Sequence, residues 1–201
     1  MLKLVDKIIR FFKDNKKTLT FIFTIALVGL IAGICFYFFI SLEDKNKCID
    51  FINNYINNIK EEKYLLIFIK SFLFNFVLLT IIFICAFSII GFFTGTLVFF
   101  AKNFVIGLYI TLISKVTNYY IASTLYFLPS GLIYVLIFSI MILFSLSIST
   151  NLVFSLFKGK NICFKNINKK YLYIYLIIAF ISLITSLYEG FILPKILLYF
   201  L

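Results

Sequence analysis

The sequence predicts an all-α membrane protein, a polytopic bundle of about five transmembrane helices. Hydrophobic residues fill 63% of the 201 positions and charged residues only 13%, with a mean hydropathy of +1.11. A soluble domain, in which about half the residues are apolar, could not cover that much apolar surface. The apolar residues also fall in runs that reach the length of about 20 residues needed to cross a bilayer. The chain is therefore predicted to be one integral membrane domain.

Five runs have this length, and the flanking residues set their ends. The first is too long for a signal peptide and lacks a cleavage site, so it is predicted to stay as an anchor. The second and third form one apolar stretch that must reverse, and Gly91 and Gly95 are predicted to make that turn. Pro129 is predicted in the first turn of the fourth span, and Pro194 is predicted to close the fifth. The predicted spans are 18–40, 71–90, 96–114, 129–157 and 171–193, with an extracytoplasmic loop at 41–70.

Lysine and arginine predict the orientation of the bundle in the cell membrane. With the N-terminus inside, segments 1–17, 91–95 and 158–170 face the cytoplasm and carry 11 basic residues, against seven on the opposite side. Because basic residues collect in cytoplasmic segments, the predicted orientation is N-in, C-out. The net charge of +11 is interpreted as this bias together with contact with anionic lipid. Nucleic acid is not a predicted partner.

The composition excludes several kinds of catalytic site. The chain has no histidine, and of its eight acidic residues only Glu189 lies beyond Glu62. Imidazole bases and paired carboxylates inside the membrane are therefore excluded, and with them an intramembrane protease. The four cysteines form no CxxC pair, so neither a disulfide nor a metal site is predicted. We predict a protein that is not an enzyme and that uses no cofactor.

Glu189 is the most informative single residue, because an acid inside a membrane span is costly and is usually paired or functional. At about 1.5 Å per residue, Glu189 lies roughly 27 Å from the inner end of its span. Lys115 lies about 30 Å along its span, whereas Lys102 lies only about 10 Å along, within reach of the inner headgroups. The matching depths predict a Glu189–Lys115 pair that staples two spans. Proton or ion coupling is the alternative role.

Two further features predict contacts between helices or proteins. Gly29 and Gly33 have the GxxxG spacing that lets helix backbones approach closely, which favours internal packing over the alternative of a homodimer.

The extracytoplasmic loop is predicted to hold a short amphipathic helix within 43–63, because four isoleucines recur at helical spacing on one face. This helix is predicted to lie on the outer leaflet or to dock a partner, with packing on its own bundle as the alternative. The four residues are Ile49, Ile52, Ile56 and Ile59.

Five motifs follow one another along the chain. They are Gly29–Gly33, Lys70–Asn75, Ile90-Gly91 followed by Lys102 and Gly107, Leu128-Pro129, and Tyr188–Pro194. In this order they resemble the stage II sporulation protein M family over essentially the whole chain.

The resemblance implies a non-enzymatic membrane component of forespore engulfment. Proteins of that family recruit and anchor two peptidoglycan-degrading enzymes, an amidase/endopeptidase and a lytic transglycosylase, at the septal membrane. These hydrolases and the lipid bilayer are thus the expected partners. A membrane subunit of a small-molecule transporter is the alternative function. It needs polar groups that converge near the midplane, and the sequence offers only Lys102 and scattered hydroxyls there.

Overall fold

The computed structural model of the chain describes residues 15–61, 64–88, 90–116, 127–158 and 164–195. Within these ranges the chain is helical apart from short connections, and none of it forms a strand. The α-helices are α1 (Lys16–Phe39), α2 (Leu42–Glu61), α3 (Tyr64–Cys85), α4 (Gly91–Val116), α5 (Leu132–Lys158) and α6 (Phe164–Leu187). Two π-helical turns extend the last two helices: the first, Phe127–Gly131, precedes α5, and the second, Tyr188–Ile192, follows α6.

Five of these helices are long and apolar enough to cross a membrane, which confirms the predicted all-α polytopic bundle. The amphipathic helix α2 lies between the first and second spans, as predicted. The N-in, C-out orientation stays a prediction. The candidate spans are Lys16–Phe39, Tyr64–Cys85, Phe93–Lys115, Pro129–Val153 and Tyr171–Lys195.

The turn between the second and third spans lies earlier than predicted. Helix α3 ends at Cys85, and Gly91 and Gly95 belong to helix α4, so the prediction that they form the turn is wrong. A Cβ on Gly91 would lie 2.1 Å from the carbonyl oxygen of Cys85, so this glycine allows a close approach beside the turn. The Ser149 hydroxyl of α5 donates to carbonyl oxygens of the turn, Ala86 at 3.1 Å and Ser88 at 3.2 Å. Because a distant helix stabilises the turn, local sequence does not reveal its position.

Helix α5 occupies the centre of the bundle. It contacts α1, α3, α4 and α6, and its residues Phe138, Met141 and Ile142 are fully buried. Helix α3 packs along α6, whereas α1 lies mainly against α4. The bundle therefore has one central helix, and the other spans surround it.

The contact between α1 and α4 depends on glycines of both helices. A Cβ on Gly33 would lie 2.0 Å from the backbone oxygen of Phe104, and one on Gly107 would lie 2.2 Å from that of Leu30. A Cβ on Gly29 would lie 2.9 Å from the backbone oxygen of Phe100 and 3.0 Å from Cβ of Asn103, both in α4. Backbones can approach this closely only where no side chain intervenes. The Gly29/Gly33 face is thus used for packing inside the chain, which is the internal alternative favoured by the sequence.

Both prolines lie in or beside a π-helical turn. Pro129 lies within the first of these turns, ahead of α5. Pro194 was predicted to close the fifth span, but the helix continues through it to Lys195. The N–H of Leu193 bonds to the carbonyl oxygen of Tyr188, five residues back, so the helix is already widened where the proline follows. A ring without an N–H is tolerated there without breaking the helix.

Candidate functional site

Six polar side chains meet inside the membrane-spanning part of the bundle. We call them the intramembrane polar cluster. Asn75, Tyr134 and Ser186 are buried, and the other three are partly buried. Polar groups in a bilayer interior must hydrogen-bond to one another, because water is absent and lipid hydrocarbon chains offer no donors or acceptors. The cluster consists of Ser71 and Asn75 of α3, Lys102 of α4, Tyr134 of α5, Ser186 of α6 and Glu189 of the second π-helical turn.

Hydroxyl groups surround the Glu189 carboxylate. The Ser71 hydroxyl and the Tyr134 hydroxyl, at 3.3 Å, both donate to its Oε2 atom. Ser186 lies 3.1 Å from the Tyr134 hydroxyl and 3.5 Å from Ser71. The buried Ser130, from the first π-helical turn, also hydrogen-bonds to the carboxylate. Donors from three parts of the chain, α3, α5 and the first π-helical turn, thus stabilise one acid that the bilayer would otherwise exclude.

Lys102 is held on the other side of Tyr134. Its Nζ donates to Oδ1 of Asn75 at 2.6 Å and lies 4.6 Å from the centre of the Tyr134 ring. The Phe74 ring lies 5.3 Å from the same nitrogen. An amide oxygen and two aromatic faces stabilise an ammonium group away from water. Tyr134 therefore contacts both charges, with its ring at Lys102 and its hydroxyl at Glu189.

The predicted Glu189–Lys115 pair is not formed. Lys115 is exposed, and the basic residue that interacts electrostatically with Glu189 is Lys102. The depth argument failed because height along a helix does not give the direction in which a side chain points, and the Lys115 side chain is exposed. Because α4 begins at Gly91, Lys102 lies 11 residues, or about 16 Å, along its helix, and it reaches Asn75 rather than the inner headgroups. Lys102 and Glu189 both lie within the described residues, and no ion pair joins them within 4.0 Å. Each charged group instead contacts hydroxyl, amide or aromatic groups.

Local sequence features bring these residues together. Gly190 lies against the backbone of Phe68, where a Cβ would be 2.5 Å from the Cβ of that phenylalanine, so the second π-helical turn can press onto α3. Asn75 donates to the backbone oxygen of Ser71 at 2.9 Å, one helical turn away, which fixes both side chains on one face. Sequence reasoning missed Ser71, Asn75, Tyr134 and Ser186. The signals were spacings of three and four residues between polar positions, Ser71 to Asn75 and Ser186 to Glu189.

Helix α2 is the second candidate site, after the intramembrane polar cluster. Cys48 and Ile49 of this helix are partly buried, and they pack against Tyr37 of α1 and Leu112 of α4. Ile49 therefore packs on the protein's own bundle, the alternative that the sequence left open, and its role in docking a partner stays a prediction. The side chains of Ile52, Ile56 and Ile59 lie outside the described residues. The opposite face is exposed, and it carries Glu43, Asn46, Lys47, Asp50 and Asn54.

The described residues contain no metal-binding cluster. No group of three or more histidine, cysteine, aspartate or glutamate side chains there could hold a metal ion. Cys35, Cys48 and Cys85 are free thiols. The arrangement that the structure does show holds one acidic and one basic side chain among polar and aromatic groups inside the bundle.

Comparison with known proteins places the chain in a family. The model of stage II sporulation protein M matches residues 18–194. The chain belongs to the stage II sporulation protein M family. It is thus a sporulation-related, multi-pass membrane protein, from a family that is not known for enzymes. No curated protein and no solved structure matches the chain.

The family match includes both candidate sites, the intramembrane polar cluster and helix α2. It begins within α1 and ends at Pro194, so it includes α2 and all six residues of the intramembrane polar cluster. Both features therefore lie within the part of the chain that the family model matches.

Proposed function

We propose that this protein is a non-enzymatic membrane scaffold that anchors and recruits peptidoglycan-degrading enzymes at the septal or engulfing membrane during sporulation. Family membership supports a role in sporulation. The observation that carries the finer proposal is helix α2, which is fastened to the bundle on one face and exposes a polar face on the other. In the predicted orientation this face points towards the cell wall.

Side-chain hydrogen bonds fasten the N-terminal end of helix α2. The Ser41 hydroxyl accepts the backbone N–H of Asp44 at 3.2 Å and donates to its carboxylate at 2.8 Å, which caps the start of the helix. Lys45 donates to the carbonyl oxygen of Phe38 at 3.3 Å and so fastens the helix to the end of α1. A surface that is ordered before binding loses less entropy when a partner docks.

Recruitment is expected to depend on the exposed polar face of α2. Replacing Asn46 and Asn54 with lysine places two charges on this face, and we expect recovery of co-captured wall hydrolases to fall about tenfold. The measurement is affinity capture from gently solubilised membranes of sporulating cells, with the bound proteins identified and quantified by mass spectrometry.

Asn151→Lys is the control, since it makes one substitution of the same kind at an exposed asparagine near the end of α5. Hydrolase recovery should be unchanged in this variant. Equal recovery from the α2 variant and the control would refute the docking surface.

A transporter subunit is the second candidate function, and the intramembrane polar cluster favours it. Ser71 and Asn75 lie seven and eleven residues into α3, about 10 Å and 17 Å from its start. These side chains and Lys102 are the converging interior polar groups that a solute site requires, and the sequence did not predict their convergence. The same capture experiment separates the two functions, because a co-purifying ATPase in place of wall hydrolases would support a transporter.

A further inference from the structure

Four oxygen atoms of the intramembrane polar cluster form a closed ring. They are Oγ of Ser71, Oγ of Ser186, the hydroxyl oxygen of Tyr134 and Oε2 of Glu189. The contacts around its edge join Ser71 to Glu189, Glu189 to Tyr134 at 3.3 Å, Tyr134 to Ser186 at 3.1 Å, and Ser186 to Ser71 at 3.5 Å. Ser186 is fully buried and Tyr134 almost so. The ring is therefore a compact oxygen site inside the bundle.

The number of hydrogens in the ring depends on one group. Each hydroxyl supplies one hydrogen to donate, and an ionised carboxylate supplies none. With Glu189 ionised, three hydrogens are shared among four oxygen–oxygen contacts, so one contact has none. With Glu189 protonated, four hydrogens match four contacts. The ring thus has a place for one additional proton.

Lys102 makes the ionised form tolerable in the same site. Its ammonium group lies over the ring of Tyr134, whose hydroxyl bonds to Glu189, so a positive charge is close to the carboxylate without being bonded to it. The charge of Glu189 can therefore be neutralised either by Lys102 or by a bound proton. A direct ion pair would hold the carboxylate in its ionised form, and none is formed here.

We propose that this ring is an intramembrane proton-binding site, in which Glu189 takes a proton from water and changes from carboxylate to carboxylic acid. Four elements contribute an oxygen to the ring, namely α3, α5, α6 and the second π-helical turn, so its protonation alters the contact that joins them. π-Helical turns occur frequently at functional sites, and one of them carries Glu189. This role goes beyond that of a scaffold, because it makes the bundle responsive to protons.

Several titratable groups interact with Glu189 and belong to the same site. They are Lys102 and Tyr109 of α4, Tyr134 of α5, and Tyr188 of the same turn. From α3 and α6 the ring receives Ser71 and Ser186, which do not titrate, and Lys70 beside Ser71 is exposed. Glu189 is the acid of this set, so it is the group whose protonation infrared spectroscopy can follow.

Infrared difference spectroscopy of the full chain in lipid nanodiscs tests the proposal. We expect the C=O stretching band of a protonated carboxylic acid to grow as the pH is lowered from about 9 to about 5. Glu189→Gln should abolish this band, whereas Glu43→Gln, at an exposed acid of α2, should leave it unchanged. The proposal is wrong if the wild-type band is absent throughout, or if it is constant over this range.

Tyr134→Phe keeps the aromatic face under Lys102 and removes only the hydroxyl from the ring. We expect the acid band to persist in this variant but to shift in frequency, because the carboxylic acid loses one hydrogen-bond partner. This variant also tests the proposal if Glu189→Gln fails to fold. A band with unchanged frequency would show that the proton is bound outside the ring, and the proposal would fail.

Discussion

Replacing Lys102 with methionine is expected to destabilise the bundle by about 1–3 kcal/mol, the usual cost of leaving a buried hydrogen-bond acceptor without its donor. Methionine keeps the length of the side chain but leaves the Glu189 carboxylate without a nearby positive charge. It also leaves Asn75 Oδ1 without its donor. The free energy of unfolding, measured by reversible denaturation in mixed micelles, checks this expectation.

The double variant with Glu189→Gln separates charge from packing. Because glutamine carries no charge, the second substitution should restore much of the stability lost in Lys102→Met, and the two changes should be far from additive. Lys115→Met is the matched control, since Lys115 is exposed, and its effect should stay within about 0.5 kcal/mol. Equal losses from Lys102→Met and Lys115→Met would show that Lys102 does not balance Glu189.

Gly33→Ala is expected to produce the second large effect, a loss of about 1–3 kcal/mol or more from overpacking between α1 and α4. The added Cβ would lie 2.0 Å from the Phe104 backbone oxygen and 2.9 Å from the Leu108 backbone nitrogen. Backbone atoms of a helix cannot move aside as a flexible side chain can, so the two helices must separate. Resistance to denaturation, together with the yield of a disulfide engineered between α1 and α4, measures that separation.

Gly95→Ala is the matched control, at a glycine of α4. A Cβ at Gly95 would lie 3.7 Å from Ser145 Oγ, an ordinary van der Waals distance. Alanine should therefore be tolerated, and it gains about 0.5–1 kcal/mol from its better helix propensity. If Gly33→Ala were as well tolerated as Gly95→Ala, the close approach of α1 and α4 would not be a source of stability.

The number of membrane spans could be predicted from the sequence because it depends on the length of apolar runs alone. The amphipathic helix α2 could also be predicted, since its isoleucines repeat at helical spacing. The turn before Gly91 could not, because the Ser149 side chain of α5 caps it from a distance. The direction that α2 faces was left open by the sequence, since an apolar stripe suits a partner and the protein's own bundle equally well.

The partner of Glu189 escaped prediction for a different reason. Depth along a helix gives the height of a residue but neither the rotation of its helix nor the identity of the neighbouring helix. Lys102 also has a long side chain, so its charged end lies several ångströms from its backbone. The contact with Asn75 depends on all three properties. Tyr134 had no distinguishing signal in the sequence, because one tyrosine in an apolar span resembles many others.

The glycine contact between α1 and α4 has a consequence for biosynthesis. The first span enters the membrane before the segment that it packs against has been translated, since Gly107 and Phe104 follow it by about seventy residues in the chain. Until α4 leaves the ribosome, the Gly29/Gly33 face lacks the helix that covers it in the finished bundle. Helix α1 therefore reaches its final position only after the third span has been inserted, and assembly of the bundle is completed late in synthesis.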